Sequence, residues 1–261
     1  MTIEFSGLGV RFGTEKKPFW ALRGADLTIG DNEFVSVVGT SGCGKSTLLS
    51  VVAGLQDPAE GTILVDGMPV AGPGRDRGVV FQNYSLFPWL TAAGNIDFAL
   101  REAGVPRAER KDRVDEMLSE VGLRDFADRY PAELSGGMKQ RVAIARVLSY
   151  RPQILLMDEP FGALDALTRR IMQELLVKIW EHSKLTVLFI THDIHEAVFL
   201  SDRVAIMTNR PGRVKEEIAI DLPRPRNHDV LRSPEFVALE EEVLDHIRSE
   251  SLQVEHLEAT A

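Results

Sequence analysis

The sequence predicts an α/β fold with a mainly parallel sheet, and three observations lead to this prediction. Residues 33–38 are apolar and rich in valine, which is typical of a strand buried on both faces. Apolar strand patterns recur at residues 154–157, 186–190 and 204–207. A helical pattern at residues 168–181 separates the first two of these strands. Strands that alternate with helices favour a parallel sheet, because each helix crosses back over the sheet before the next strand begins.

The other predicted elements form a strand-rich beginning, a helical middle and a helical end. Short apolar stretches predict strands at residues 3–5, 10–12, 26–29, 62–65 and 78–81. A helix is predicted at residues 47–55, directly after a glycine-rich turn. Between residues 92 and 148, apolar residues recur at helical spacing among Glu, Arg and Ala, which indicates a mostly helical insert. An acidic helix is predicted near residues 234–249, followed by a short polar tail.

The composition excludes several classes of protein. With 44% apolar and 26% charged residues, the chain of 261 residues is typical of a globular protein and not of a disordered one. Thirty Lys and Arg against 39 Asp and Glu give a net charge of −9, which argues against general nucleic-acid binding. The single cysteine, Cys43, excludes an intramolecular disulfide and fits a reducing compartment. We expect no secretory signal and no membrane span, so another chain would have to cross any membrane.

A glycine-rich segment directly after the buried strand has the pattern of a phosphate-binding loop. Residues 39–46 read Gly-Thr-Ser-Gly-Cys-Gly-Lys-Ser and precede a predicted helix, the setting that this pattern requires. Glycines let the backbone wrap closely around an anion, and the helix N-terminus adds positive potential. We expect Lys45 to reach the β- and γ-phosphates and Ser46 to offer its hydroxyl to Mg²⁺. A plain glycine turn is the alternative, and the Lys-Ser pair between a strand and a helix argues against it.

Two acids end the apolar strand at residues 154–157. Asp158 follows at the carboxyl end of the strand, where it would hold the magnesium shell. Glu159 is the next residue, points differently and could polarise the attacking water. Alone, such a pair is more often a helix cap or a surface turn. Together with the phosphate-binding loop, it predicts hydrolysis of a nucleoside triphosphate.

A second glycine-rich segment distinguishes among the protein families that contain a phosphate-binding loop. Residues 134–141 read Leu-Ser-Gly-Gly-Met-Lys-Gln-Arg and open a predicted helix, which gives the chain a second helix N-terminus suited to an anion. At this point the sequence resembles the ATP-binding-cassette (ABC) ATPases, and the resemblance covers about residues 3–242. It implies that each ATP lies between the phosphate-binding loop of one subunit and the Ser-Gly-Gly segment of another. A serine-capped helix with flexible glycines is the alternative.

The resemblance implies a domain plan and a set of site residues. The plan is a P-loop NTPase core of the ABC type at residues 1–225, with an N-terminal antiparallel β-subdomain, a helical subdomain at about residues 86–150, and a C-terminal helix and polar tail at residues 226–261. The implied catalytic residues are Glu159, His192, Gln82 and Lys45. The implied ATP-binding residues are Phe12, Gly39, Thr40, Ser41, Gly42, Cys43, Gly44, Lys45, Ser46 and Thr47. The implied residues that reach the partner's ATP are Ser135, Gly136 and Gly137, with Asp165 in the loop that crosses the dimer. Mg²⁺ would be held by Ser46, Gln82 and Asp158, the last through water.

The residue that stacks on adenine is open between two candidates. In the family, an aromatic side chain from the N-terminal strands stacks on the base, and Phe12 lies where the resemblance places it. Trp20 is the competitor, and either could belong to the core. Thr40 takes a position that is often Pro in the family, but it still supplies a backbone N–H.

Several segments look like the branch that imports nitrate, sulfonates and taurine. They are residues 72–78, 86–91, 160–169, 210–213 and 222–226. One phosphate-binding loop and one Ser-Gly-Gly segment require a pair of chains. The resemblance therefore implies an ATP-hydrolysing importer subunit that dimerises around two Mg-ATP, with an identical or paralogous mate, and drives a permease for a small anion such as nitrate, an alkanesulfonate or taurine.

The bulky residues that follow Gln82 predict a docking surface. Leu86, Phe87, Trp89 and Leu90 would form an apolar patch if they were exposed, and the resemblance implies that the permease subunits dock near residues 82–90. Internal packing of these residues is the alternative. An extracytoplasmic solute-binding protein would take part indirectly, and the chain would lie peripherally on the cytoplasmic face of the inner membrane.

Two other functions stay open. A soluble ABC-type ATPase could act on nucleic acid or on a protein complex, although the acidic charge and the single cassette disfavour it. A nucleotide-gated assembly component would hydrolyse little ATP, which Glu159 and His192 argue against.

Overall fold

The computed structural model describes residues 1–14, 17–227 and 229–259, with side chains up to residue 250. The described chain forms two compact units: Met1–Gly74 with the chain from Ser183 onward, and Arg75–His182. The strands are β1 Ile3–Thr14, β2 Lys17–Ile29, β3 Phe34–Val38, β4 Glu60–Val65, β5 Met68–Pro69, β6 Arg77–Val80, β7 Ile154–Asp158, β8 Thr186–Ile190, β9 Arg203–Met207 and β10 Val214–Ala219. The α-helices are α1 Lys45–Val52, α2 Ala92–Glu102, α3 Arg107–Glu120, α4 Gly136–Leu148, α5 Ala166–Ser183, α6 Ile194–Leu200 and α7 Pro234–Ala259.

The first unit contains an antiparallel sheet in the order β2-β1-β4-β5. The prediction of separate short strands at residues 3–5, 10–12 and 26–29 was wrong in extent, because β1 and β2 are long and continuous. The register between them shifts between Phe5 and Leu8 and again between Leu8 and Val10. Such bulges move side chains to the other face, so the alternating pattern that reveals a strand is interrupted.

The same unit contains a second sheet region in which β3 lies between β8 and β9. All five residues of β3 are buried, and β3 runs parallel to both neighbours. This arrangement confirms the predicted strand buried on both faces. The edge strand β10 pairs with β9 in antiparallel fashion and was not predicted, since it is short and carries Lys215, Glu216 and Glu217. The helix α1 begins at Lys45 and ends at Val52, two to three residues before the predicted bounds.

The second unit combines a parallel strand pair with a helical cluster. Strands β6 and β7 are parallel, with Val80 opposite Met157. Helices α2, α3 and α4 share an apolar core that includes Ile96, Leu118 and Val142, which confirms the helical region predicted between residues 92 and 148. Each of these helices alone would leave an apolar stripe exposed, so they bury their stripes against one another.

The C-terminal segment packs against α6 within the first unit. Arg226 is 5% exposed and donates hydrogen bonds to the carbonyl oxygens of Val198, Phe199 and Ser201 at the end of α6. Helix α7 contacts α6, and His195 Nδ1 lies 2.8 Å from Glu240 Oε1. This helix extends beyond the predicted residues 234–249. Residues 260–261 of the predicted tail lie outside the described residues.

In the part of the chain that the structure describes, no helix has the length and apolarity that crossing a bilayer requires.

Candidate nucleotide-binding site

The predicted phosphate-binding loop joins β3 to α1 in the first unit. Gly42 and Gly44 have φ values of +77° and +101°, which favour glycine. A Cβ atom on Gly44 would lie 2.7 Å from Leu22 Cδ2 and 2.8 Å from the carbonyl oxygen of Ala21. Glycine is therefore needed here both for the backbone conformation and for the close approach of β2.

Lys45 lies within the curve of this loop. Its side chain is largely buried, and Nζ donates to the carbonyl oxygens of Gly39 at 2.9 Å and Thr40 at 3.1 Å. Helix α1 begins at this residue and has no acidic side chain in its first turn, so nothing there offsets its N-terminal positive potential. An ammonium group at a helix N-terminus within a glycine-rich loop can bind a phosphate.

Cys43 is a buried member of the same loop. Its Sγ atom is 3.9 Å from Lys45 Nζ. Burial raises the pKa of the Cys43 thiol, and the charge of Lys45 opposes this shift without cancelling it. The thiol therefore stays protonated at neutral pH, which fits a small loop residue and not a reactive thiolate.

His192 leaves the strand next to the one that leads into the loop. Strands β3 and β8 are parallel, with Val37 opposite Ile190, so both chains emerge at the same edge of the sheet. The backbone N–H of Thr191 donates to Val37 O at 3.3 Å. Asp193 caps α6 by accepting from the N–H of Glu196 at 3.2 Å. The histidine is thus placed on a short, well-defined connection beside the loop.

Gln82 and Glu159 meet in the second unit. They follow the parallel strands β6 and β7, and Gln82 Nε2 donates to Glu159 Oε2 at 3.3 Å. Glu159 has a φ value of +44°, a conformation that costs energy for a residue other than glycine. Asp158 precedes it as the last residue of β7. Asp158 and Glu159 are thus successive carboxylates at the carboxyl end of β7.

The Ser-Gly-Gly segment opens α4, as predicted. Ser135 is the N-cap, and its hydroxyl oxygen accepts from the N–H of Met138 at 3.3 Å. A Cβ atom on Gly137 would lie 2.4 Å from Cγ2 of Thr168, and one on Gly136 would lie 3.1 Å from the hydroxyl oxygen of Tyr84. Gly137 thus lets α4 approach the start of α5 closely, and Gly136 leaves room for Tyr84.

Asp165 caps that neighbouring helix. Its Oδ1 accepts from the backbone N–H groups of Leu167 at 3.1 Å and Thr168 at 3.0 Å. These hydrogen bonds, first the one from Thr168, lower the pKa of Asp165. The carboxylate is exposed and stays ionised at neutral pH.

The two aromatic candidates for adenine stacking have different surroundings. Phe12 is 42% exposed and pairs across the β1–β2 hairpin with Phe19, which is 45% exposed. Two guanidinium groups lie over the ring of Trp20, with Arg23 Cζ 5.0 Å and Arg11 Cζ 5.8 Å from its centroid. Phe12 is thus the more exposed of the two candidates, and Trp20 is half-buried.

The segment after Gln82, residues 83–91, is held by two polar side chains. Arg146 of α4 donates to the carbonyl oxygens of Ser85 at 2.6 Å and Tyr84 at 3.3 Å. Asn95 is fully buried, accepts from the N–H of Phe87 at 2.8 Å and donates to three carbonyl groups of the segment. Trp89 nevertheless remains 70% exposed, 5.5 Å from the ring of Phe87.

The structure also shows a part of the site that sequence analysis missed. A Cβ atom on Gly212 would lie 1.9 Å from the carbonyl oxygen of Cys43, so the β9–β10 connection packs directly against the phosphate-binding loop. In the sequence, residues 210–213 were noted only because they resemble the importer branch. A Pro-Gly pair after a strand signals a turn, but not the distant segment that the turn contacts.

A glycine-rich loop that holds a lysine, at the carboxyl edge of parallel strands, defines a P-loop nucleotide-binding protein. The model of the ABC transporter family matches residues 22–162. The chain is 46% identical over 267 residues to the nitrate import ATP-binding protein NrtD of Synechocystis sp., covering 100% of both chains. It is 51% identical over 230 residues to the bicarbonate transport ATP-binding protein CmpC of Synechococcus elongatus, covering 87% of this chain and 35% of that relative.

A solved structure agrees with these relatives. The dimeric structure of an ATP-binding cassette in a post-hydrolysis state, bound to ADP and Pi, has a TM-score of 0.75 and 34% identity, and covers 85% of this chain and 100% of that chain. The chain belongs to the ABC transporter family. It is an ATP-binding subunit of that family and an ATPase, which confirms the predicted family, fold and enzyme class.

Proposed function

We propose that this chain is the ATP-hydrolysing subunit of an ABC importer for a small oxyanion. The full-length likeness to a nitrate import ATP-binding protein carries the proposal. The bicarbonate transport relative supports the same class of solute, since both anions are small, planar and singly charged. Nitrate or bicarbonate is therefore a better candidate solute than taurine or an alkanesulfonate.

Hydrolysis needs ATP and Mg²⁺, and the residues present fit both. The loop at residues 39–47 binds the phosphates, with Lys45 supplying positive charge. The exposed hydroxyl of Ser46, the amide oxygen of Gln82 and the carboxylate of Asp158 are oxygen donors, which Mg²⁺ prefers. When bound, Mg²⁺ neutralises charge on the phosphate oxygens.

Glu159 orients and polarises the attacking water. Its hydrogen bond with Gln82 holds the carboxylate at the end of β7, where that group can accept a proton as water attacks the γ-phosphorus. His192 contacts the γ-phosphate from the neighbouring strand end. Phe12 stacks on adenine.

Two copies complete each site. The N–H groups at the start of α4, opened by Ser135, Gly136 and Gly137, bind the ATP held by the loop of the other copy. Asp165 lies in the connection that crosses between the copies. The likeness to a dimeric ATP-binding cassette supports this arrangement.

The permease docks on the segment that follows Gln82. Trp89 is largely exposed beside the ring of Phe87, while Leu86, Phe87 and Leu90 are half-buried. An exposed indole next to partly buried apolar residues suits the burial of a partner helix. The chain then lies on the cytoplasmic face of the membrane, and a solute-binding protein on the other side delivers the anion.

Reconstitution tests the proposal. The chain, its permease and a candidate solute-binding protein are placed in proteoliposomes, and ATP hydrolysis is followed with nitrate, bicarbonate or taurine. We expect stimulation by nitrate or bicarbonate and none by taurine. Stimulation by taurine alone would contradict the assigned solute class, and equal activity with and without permease would contradict the importer role.

A further inference from the structure

We propose that Arg210 is an additional nucleotide-binding residue, whose guanidinium group donates hydrogen bonds to the phosphate chain of bound ATP or ADP. This inference rests on the proposed role of residues 39–47 as the phosphate-binding loop. It adds a cation from a different part of the chain to that loop.

The backbone that carries Arg210 is fixed beside the loop. The N–H of Gly212 donates to Ala21 O at 2.9 Å, and Gly212 O accepts from the N–H of Arg23 at 3.1 Å. Gly212 also packs so closely on Cys43 that a Cβ atom would lie 1.9 Å from its carbonyl oxygen. Arg210 is thus two residues from a direct backbone contact with the phosphate-binding loop.

The side chain borders the loop at Gly42. Arg210 Nη2 lies 3.1 Å from the position that a Cβ atom would take on Gly42, and Cζ and Nε lie 3.9 Å from it. Apart from Gly42 and its two neighbours in the chain, the three heavy atoms nearest to that position all belong to Arg210. The Arg210 Cζ atom is 5.8 Å from the ring centroid of Phe19, so the aromatic ring supports the guanidinium group.

The guanidinium group of Arg210 has no anionic partner among the described residues. It is exposed, and no described carboxylate forms an ion pair with it. By contrast, Arg203 on the strand before it pairs with Glu33 at 3.0 Å and Glu217 at 2.8 Å. In a chain of net charge −9, an unneutralised guanidinium beside a phosphate-binding loop is suited to an anionic ligand.

The proposal is tested by binding of fluorescent ATP and ADP analogues to the full chain. We expect Arg210→Ala to weaken both by about 5- to 20-fold, the range for loss of a charge-assisted hydrogen bond that is partly screened by solvent. Arg210→Lys keeps the charge but not the planar fork, and should lose less. Arg213→Ala is the matched control, because it removes the same charge from an exposed position of the same connection, and should change affinity less than 2-fold.

Three outcomes would overturn the proposal. Unchanged affinity in Arg210→Ala, with affinity lost in Lys45→Ala, would reject Arg210 and leave the proposed loop intact. Equal weakening in Arg213→Ala would indicate general electrostatics and no contact. Equal weakening for adenosine, which has no phosphate, would contradict the phosphate contact. Unchanged affinity in Lys45→Ala would instead reject the loop itself. In ATP hydrolysis, we expect a raised KM and a nearly unchanged kcat for Arg210→Ala.

Discussion

The phosphate-binding loop and the segment after Gln82 are both connections at strand ends, but they are built differently. The loop is glycine-rich, encloses its own lysine and is packed against β2 and the β9–β10 connection. The segment after Gln82 has few glycines, holds Tyr84 and Ser85 at positive φ, and depends on two side chains from neighbouring helices. The first is built to keep one geometry around an anion. The second holds the surface on which the permease docks in the function proposed above.

Substitution of Glu159 should lower the rate of ATP hydrolysis far more than it changes ATP affinity. Glu159→Gln removes the general base but keeps the size of the side chain, so we expect kcat for ATP hydrolysis to fall by about 10²- to 10⁴-fold. ATP affinity should stay within a few-fold. Phosphate release and nucleotide binding are measured on the same preparation. Glu116→Gln, exposed on α3, is the control, and substantial residual turnover in Glu159→Gln would count against the assigned base.

Lys45→Ala should affect binding first. Loss of a charged hydrogen bond to phosphate costs about 1.5–3 kcal/mol, so ATP affinity should fall by about 10- to 100-fold. Calorimetry of ATP binding measures this effect. Lys111→Ala removes the same charge from the exposed face of α3 and should leave affinity unchanged. Equal affinities for the two variants would contradict the role of Lys45.

Gly212→Ala tests whether packing maintains the loop. The added methyl group would overlap the carbonyl oxygen of Cys43, which forces the backbone to move. Overpacking of this kind costs about 1–3 kcal/mol, and we expect the free energy of unfolding and ATP affinity to fall together. Gly30→Ala is the control, because the nearest atom to its Cβ position is a flexible Glu33 oxygen 3.4 Å away. Unaltered ATP affinity in Gly212→Ala would show that the loop keeps its geometry without this support.

Substitution of Asn95 should destabilise the segment after Gln82. Asn95→Ala leaves the partly buried N–H of Phe87 without its acceptor and removes a side-chain donor from the carbonyl groups of Leu90 and Thr91. The free energy of unfolding should fall by about 1–3 kcal/mol in urea titration, while ATP affinity changes little. Asn83→Ala is the same substitution at an exposed position nearby and should change stability by less than about 0.5 kcal/mol. If Asn83→Ala lowered the free energy of unfolding more than Asn95→Ala, Asn95 would not be the residue that holds the segment.

What the sequence could predict depended on how local each signal was. The strand β3, its glycine loop and the start of α1 are contiguous, and so is the Ser-Gly-Gly opening of α4. Bulges in β1 hid a long hairpin, because they interrupt the alternation of apolar residues. Helix α6 has only seven residues and was missed for that reason.

The unpredicted parts of the site depend on contacts between distant segments. Gly212 supports Cys43, and Arg226 binds the carbonyl end of α6, but neither residue carries a periodic pattern of its own. Such contacts depend on how elements far apart in the sequence pack together: β2 belongs to one sheet, and β3 and β9 belong to another. Composition and spacing report on local structure and cannot reveal them.

The smallest expected effect on the isolated chain is that of Trp89→Ala. The indole is 70% exposed, so the free energy of unfolding should change by less than about 0.5 kcal/mol and basal ATP hydrolysis should be unchanged. Co-purification with the permease should be strongly reduced, because an aromatic anchor that becomes buried contributes most to an interface. Met68→Ala is the control, since Met68 is 66% exposed on β5, in the other unit. If both variants retain the permease equally, the docking surface lies elsewhere, and the contrast between the phosphate-binding loop and the docking segment loses its functional basis.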